Sequence, residues 1–117
     1  MRNFRNFTVW KNAIELAKMI YKVTEVFPTT EKFGLISQIQ RASISISSNI
    51  AEGSSRKSET DFARFLEIAI GSAFEVETQL IIAEELNYIN ESDFESLILN
   101  INKLQKQINA LIIKIRQ

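Results

Sequence analysis

The chain has 117 residues, no cysteine and no histidine, and its 14 acidic and 14 basic side chains give no net charge. The lack of cysteine excludes disulfide frameworks and thiolate chemistry. The lack of histidine removes the commonest metal ligand and the commonest general base. We therefore expect a cytoplasmic, non-enzymatic protein without cofactor or metal. The length suits one domain, residues 1–117, and no apolar run suits a signal peptide or a membrane span.

The few turn signals, three glycines and one proline, favour an all-α fold. The first helix is predicted over residues 8–27, with Thr8 as its N-cap. It should end at Phe27, because the residue before a proline is disfavoured in the helical conformation. Apolar residues at steps of three and four predict its buried stripe, which consists of Trp10, Ala13, Ala17, Ile20, Tyr21 and Thr24.

The second helix is predicted over residues 30–52, with Thr29 or Thr30 as its N-cap and Gly53 as a terminating residue. Between Phe33 and Ala51 this helix carries one charge, Arg41. A surface helix normally has a charged outer face. We therefore expect the second helix to be covered on most sides, within a bundle and by further copies of the protein. Its predicted buried stripe is Leu35, Ile39, Ala42, Ile46 and Ile50.

The third and fourth helices are predicted over residues 58–86 and 91–116. Ser58 and Asp61 form a capping-box variant, and Gly71 should let another helix approach closely. Asn90 to Asp93 are a second start signal. The fourth helix has coiled-coil-like apolar spacing through Leu97, Ile101, Leu104, Ile108, Leu111 and Ile115. Since short connections make consecutive helices antiparallel, we predict an up-down-up-down four-helix bundle. The buried stripe of the third helix is predicted to be Phe62, Leu66, Ala69, Ala73, Val76, Leu80 and Ala83.

A polar seam is predicted where the second helix faces the third. A buried arginine requires a carboxylate, so Arg41 is expected to pair with Glu75. Three alternatives stay open: the network closes inside the monomer, it crosses a subunit boundary, or it forms a ligand or nucleic-acid site. The seam consists of Gln38, Arg41, Ser45, Asn49, Glu52, Glu75 and Gln79.

Charge is unevenly distributed along the chain. Residues 65–100 contain eight acids and no base, whereas residues 101–117 contain four bases and no acid. Clusters of basic side chains suit nucleic-acid phosphates. In the alternative interpretation, the basic side chains only stabilise helix termini and maintain solubility, and the acidic middle of the chain binds another protein. The candidate nucleic-acid contacts are Arg2, Arg5, Arg56, Lys57, Lys103, Lys106, Lys114 and Arg116.

Nearly the whole chain resembles the bacterial 23S rRNA intervening-sequence protein family. The fourth helix matches in pattern only, and the other segments match in combination and order. Asn49, Glu52 and Arg56 belong to or follow the central motif, without a role that the resemblance supplies. The matching segments are VWKNA (9–13), FPTTEKFGL (27–35), QIQRA (38–42), SNIAEG (48–53), RFLEIAIGSA (64–73) and EVETQL (75–80).

The resemblance implies a four-helix bundle that assembles as a homopentamer around a central channel, with no established enzymatic activity. Members are encoded in insertions within 23S rRNA genes or as free-standing bacterial genes. Relatives are accessory proteins of diversity-generating retroelements, in which a basic surface is implicated in contacts with nucleic acid and a reverse transcriptase. We therefore expect a homo-oligomer that associates with RNA or DNA through its basic ends. The alternative is a protein–protein interaction scaffold without nucleic-acid binding.

Overall fold

Four helices account for most of the computed structural model, which describes residues 2–117. Short 3-10 helices at Phe4–Asn6 and Thr29–Glu31 precede the first and second of them. No strand occurs between residues 2 and 117, so the predicted all-α class is confirmed. The four helices are α1 (Thr8–Thr24), α2 (Leu35–Ser54), α3 (Glu59–Glu85) and α4 (Glu91–Arg116).

Contacts between the helices show that successive helices run antiparallel. In two successive helices, a contact that lies further along the first helix lies further back along the second, with Arg2 counted just ahead of α1. The pairs are Thr24–Gln40 and Arg2–Ser54 at α1 and α2, Ser45–Ser72 and Gly53–Phe62 at α2 and α3, and Glu77–Gln105 and Glu67–Arg116 at α3 and α4. Asn12 of α1 also donates a hydrogen bond to Gln107 of α4 at 3.0 Å, which closes the four helices into a bundle.

The buried core follows the predicted stripes in α2, α3 and α4 and follows that of α1 only in part, since Ala13, Ile20 and Thr24 are buried as predicted. All seven predicted core residues of α3 are buried. In α1, Val9, Leu16 and Val23 are buried, whereas Tyr21 is 43% exposed and Trp10 is half-buried. Tyrosine and tryptophan each carry a polar group that favours the edge of a core. The purely apolar side chains of α1 therefore face inward, and the predicted stripe is rotated from the observed one.

The connection between α1 and α2 is longer than predicted. Helix α1 ends at Thr24 and α2 begins at Leu35, because Gly34 has non-helical backbone angles (φ −109°, ψ −112°). The prediction of Thr29 or Thr30 as N-cap is therefore wrong. Glu31 takes that role in part, since its Oε1 accepts a hydrogen bond from the Leu35 N–H at 3.2 Å.

Of the other three helices, α3 and α4 have the predicted N-caps and α1 does not. The Asp61 N–H donates to Ser58 Oγ at 3.0 Å, and the Asp93 N–H donates to Asn90 Oδ1 at 2.8 Å, so both predicted start signals are confirmed. Thr8 is instead the first residue of α1, after Phe7, which forms no side-chain cap.

Gly53 lies inside α2 and does not terminate it. The helix continues to Ser54, and none of the three glycines has a positive φ. A Cβ at position 53 would lie 2.6 Å from Phe65 Cβ. Gly53 therefore permits the close approach of α2 and α3 that was predicted for Gly71, whereas a Cβ at Gly71 would meet nothing within 4 Å.

Candidate nucleic-acid interface and polar seam

One end of the bundle is basic. The N-terminal segment, the α2–α3 turn and the C-terminus of α4 meet there, because α1 and α3 begin and α2 and α4 end at that side. We name this the basic end. Six of the eight predicted basic residues belong to it: Arg2, Arg5, Arg56, Lys57, Lys114 and Arg116.

Arg2 fastens the N-terminal segment to the α2–α3 turn. Its guanidinium donates to the backbone carbonyls of Ser54 at 3.2 Å and of Arg56 at 2.5 Å, and it forms an ion pair with Glu59. The same group lies 4.6 Å above the centre of the Phe62 ring, a favourable cation–π geometry. These contacts commit most donors of Arg2 to the protein itself, so its first role is structural.

Arg56 and Arg116 are held more loosely. Arg56 lies 3.6 Å from Glu52 and stacks over the Phe65 ring at 4.5 Å, and Arg116 lies 3.0 Å from Glu67. All four charged side chains are about half exposed. Exposed ion pairs contribute little stability, about 0–1 kcal/mol. A phosphate can therefore replace either carboxylate at small cost.

Four lysines of the predicted set are exposed, and no ion pair within residues 2–117 includes them. Lys57 and Lys114 lie at the basic end, and Arg5, stacked on Phe4 at 4.5 Å, lies in the segment beside them. Lys103 and Lys106 lie away from the basic end. Since an α-helix rises 1.5 Å per residue, Lys103 lies about 20 Å along the axis from the end of α4. The structure thus brings six of the eight candidates together and leaves two on the flank.

The opposite end of the bundle is mainly acidic. Its acids are Glu25, Glu31, Glu84, Glu85, Glu91, Asp93 and Glu95, with Lys22 and Lys32 among them. The Tyr88 hydroxyl donates a hydrogen bond to Glu31 Oε2 at 3.0 Å. This hydrogen bond, with burial and the charge of Glu31 as smaller causes, raises the pKa of Tyr88 above its usual range. The ring of Tyr88 also packs against Phe27, with centroids 5.7 Å apart, so this contact ties two connections together.

One part of the polar seam closes inside the monomer. Ser45 Oγ and Ser72 Oγ share a hydrogen bond of 2.9 Å across α2 and α3. Asn49 Nδ2 donates to the Ser45 carbonyl at 2.8 Å and to Ser45 Oγ at 3.0 Å. Glu52, further along α2, belongs to the ion pair with Arg56. These residues stabilise the α2–α3 contact.

The other part of the seam stays open. Arg41 and Glu75 are exposed, and the expected ion pair between them is absent from residues 2–117. The prediction assumed that Arg41 is buried, but water solvates both groups, so neither requires the other. They line a shallow groove with Gln38 and Ser45. Nearby on α3, Gln79 is 5% exposed, and its Oε1 has no hydrogen-bond partner among the described residues.

Comparison with protein-family models matches residues 5–110 to the 23S rRNA-intervening sequence protein family. The chain belongs to this family. A solved structure of a protein of unknown function, from the S23 ribosomal protein family of Bacteroides thetaiotaomicron VPI-5482, is similar. The two chains are 27% identical, the match covers 89% of this chain and 94% of the other, and the TM-score is 0.81. No curated protein matches the chain.

This member of the 23S rRNA-intervening sequence protein family has an apolar outer surface that sequence reasoning missed. The exposed side chains on α3 and its C-cap are Ile68, Phe74, Ile81, Ile82 and Leu86. A signal for them was present, because α3 carries apolar residues outside its core stripe and has less amphipathic character than α1, α2 or α4. The prediction of coverage by further copies was attached to α2 instead, on account of its low charge.

Within residues 2–117, none of the helices combines the length and the hydrophobicity that a transmembrane segment requires. No group of three or more acidic side chains in that range is arranged to hold a metal ion.

Proposed function

We propose that this protein is a non-enzymatic homo-oligomer, a pentamer as the family resemblance implies, that contacts nucleic-acid phosphates with its basic end. The observation that carries this proposal is the gathering of six cations at one end of each copy. Two of them, Lys57 and Lys114, are exposed without an ion-pair partner in residues 2–117. Arg56 and Arg116 can exchange their exposed carboxylates for phosphates.

The zero net charge of the chain does not argue strongly against this proposal, because the acidic and the basic residues gather at opposite ends of the bundle. The molecule is 43 Å long. At physiological salt, charges separated by more than about 8–10 Å are largely screened from each other. The acidic end therefore does not cancel the field of the basic end. An oligomer that aligns its basic ends would multiply the number of phosphate contacts.

The test is RNA binding over a salt series with matched lysine variants. Each lost phosphate contact should reduce the slope of log K against log salt by about 0.7–0.9. Lys57→Gln with Lys114→Gln should therefore lower affinity and reduce the slope by roughly 1.4–1.8. The control, Lys22→Gln with Lys32→Gln, removes the same charge from the opposite end and should leave the slope unchanged.

A protein–protein scaffold is the second candidate, and the apolar outer surface of α3 favours it. Absence of RNA and DNA binding at low salt, with the oligomer intact, would reject the nucleic-acid proposal and leave the scaffold. Equal loss of affinity in both double variants would reject the basic end as the contact surface.

A further inference from the structure

The outer face of α3 carries a stripe that no other part of the monomer covers. Ile68, Gly71, Glu75, Thr78 and Ile82 follow one another at steps of three and four, and all five are exposed. Residues at this spacing share one face of a helix. Ile68 is 51% exposed and Ile82 is 43% exposed. Exposed large apolar side chains that share one face of a helix mark a candidate interaction surface.

Gly71, in the same stripe, is not explained by packing within the monomer. A glycine in the interior of a 27-residue helix lowers helix stability relative to alanine. Gly53 has a reason inside the monomer, since a Cβ there would collide with α3, but a Cβ at Gly71 would meet nothing within 4 Å. Packing within one copy therefore does not account for Gly71, whereas a helix from outside could approach the bare backbone closely at this point.

Charge favours a second copy of this chain as the occupant. Copies with zero net charge do not repel each other as whole molecules. The stripe carries an anion, Glu75, and the adjoining groove carries a cation, Arg41, and these two side chains form no ion pair within residues 2–117. A second copy carries the same two side chains and can therefore oppose each of these charges with the opposite charge. A partner of one dominant charge, such as a nucleic acid, would leave one of them opposed and the isoleucines without a contact.

We infer that the outer face of α3, centred on Gly71, is the surface on which a second copy docks, helix against helix. This inference rests on the self-association proposed above and locates it.

The association constant of matched variants, measured by sedimentation equilibrium, tests the inference. Gly71→Gln fills the close-approach point, and Ile68→Lys replaces an exposed apolar side chain with a charge. Each should weaken association at least about fivefold, since overpacked or charged contacts disrupt a fitted interface. The controls introduce the same side chains on α4, with Ala110→Gln at an exposed alanine and Ile113→Lys at an isoleucine that is 52% exposed. They should stay within about twofold of wild type.

Circular dichroism should show native helicity in all four variants, because each altered side chain is exposed. A monomeric wild type would overturn both the inference and the proposed oligomer. An oligomeric wild type whose association is unchanged by Gly71→Gln and Ile68→Lys would overturn the inference alone. Equal weakening by Ile113→Lys and Ile68→Lys would also overturn it, because α3 would then not be distinguished. RNA binding in the salt series tests the proposed nucleic-acid contact independently of these association measurements.

Discussion

Glu31 and Tyr88 illustrate how single residues organise the acidic end. One oxygen of Glu31 accepts from the first backbone N–H of α2, and the other accepts from the Tyr88 hydroxyl. The Glu31 carboxylate therefore accepts a hydrogen bond at the start of α2, where the sequence pattern predicted a threonine N-cap. Local propensity favours threonine at that position, but the tertiary contact with Tyr88 fixes Glu31 instead. Such a contact is invisible to residue spacing, because 57 positions separate the two residues.

This hydrogen bond predicts a pH dependence at the alkaline side. The unfolded chain has a tyrosine pKa of about 10, and the folded pKa of Tyr88 is raised. The neutral hydroxyl therefore stabilises the folded state fully below about pH 10, and this stability is lost as pH rises through the folded pKa. Tyr88→Phe should be less stable than wild type at pH 7–9 in urea unfolding. The difference should shrink above about pH 10, and a constant difference up to the alkaline limit of the assay would contradict the hydrogen bond.

At the scale of elements, a helix start is predictable where a capping side chain stands next to it in the sequence. Ser58 and Asn90 are recognisable because a side-chain oxygen satisfies a backbone N–H only three residues away. The face of α1 is harder, because two apolar stripes overlap and differ by a small rotation. Packing against the other helices selects the stripe with Val9 and Leu16, so the choice depends on partners that the α1 sequence does not contain.

The two helical glycines predict opposite effects of the same substitution. Gly53→Ala should lower the free energy of unfolding by about 1–3 kcal/mol, because the new methyl group meets Phe65 Cβ at 2.6 Å. Gly71→Ala should raise the free energy of unfolding of the monomer by about 0.5–1 kcal/mol, because the space around it is open. Urea unfolding at concentrations where the chain is monomeric measures both. Destabilisation by Gly71→Ala under those conditions would show that position 71 is packed within one copy.

At the scale of the whole molecule, the antiparallel topology could be predicted, and this topology gathers most of the basic candidates at one end. Short connections leave few alternatives for four helices. The eight basic candidates looked equivalent in the sequence, but only those near the N-terminus, the α2–α3 turn and the C-terminus meet in space. Lys103 fails this condition because it lies mid-helix. The expected pair of Arg41 and Glu75 failed for another reason: residue spacing predicts that the two share a seam, but not whether water reaches it.

Self-association should make the thermal stability of the wild type depend on its concentration. A species that forms only from folded chains stabilises them by mass action, and each tenfold rise in concentration adds up to about 1.4 kcal/mol. For a chain of this length, that corresponds to a rise in Tm of roughly 4–8 °C. Ile68→Lys, which should weaken docking, should have a Tm that changes little over the same range, whereas Ile113→Lys should follow the wild type. The measurement is scanning calorimetry at two concentrations a hundredfold apart. A wild-type Tm independent of concentration would mean that the outer face of α3 stays in contact with water, and the proposed oligomer would be rejected with it.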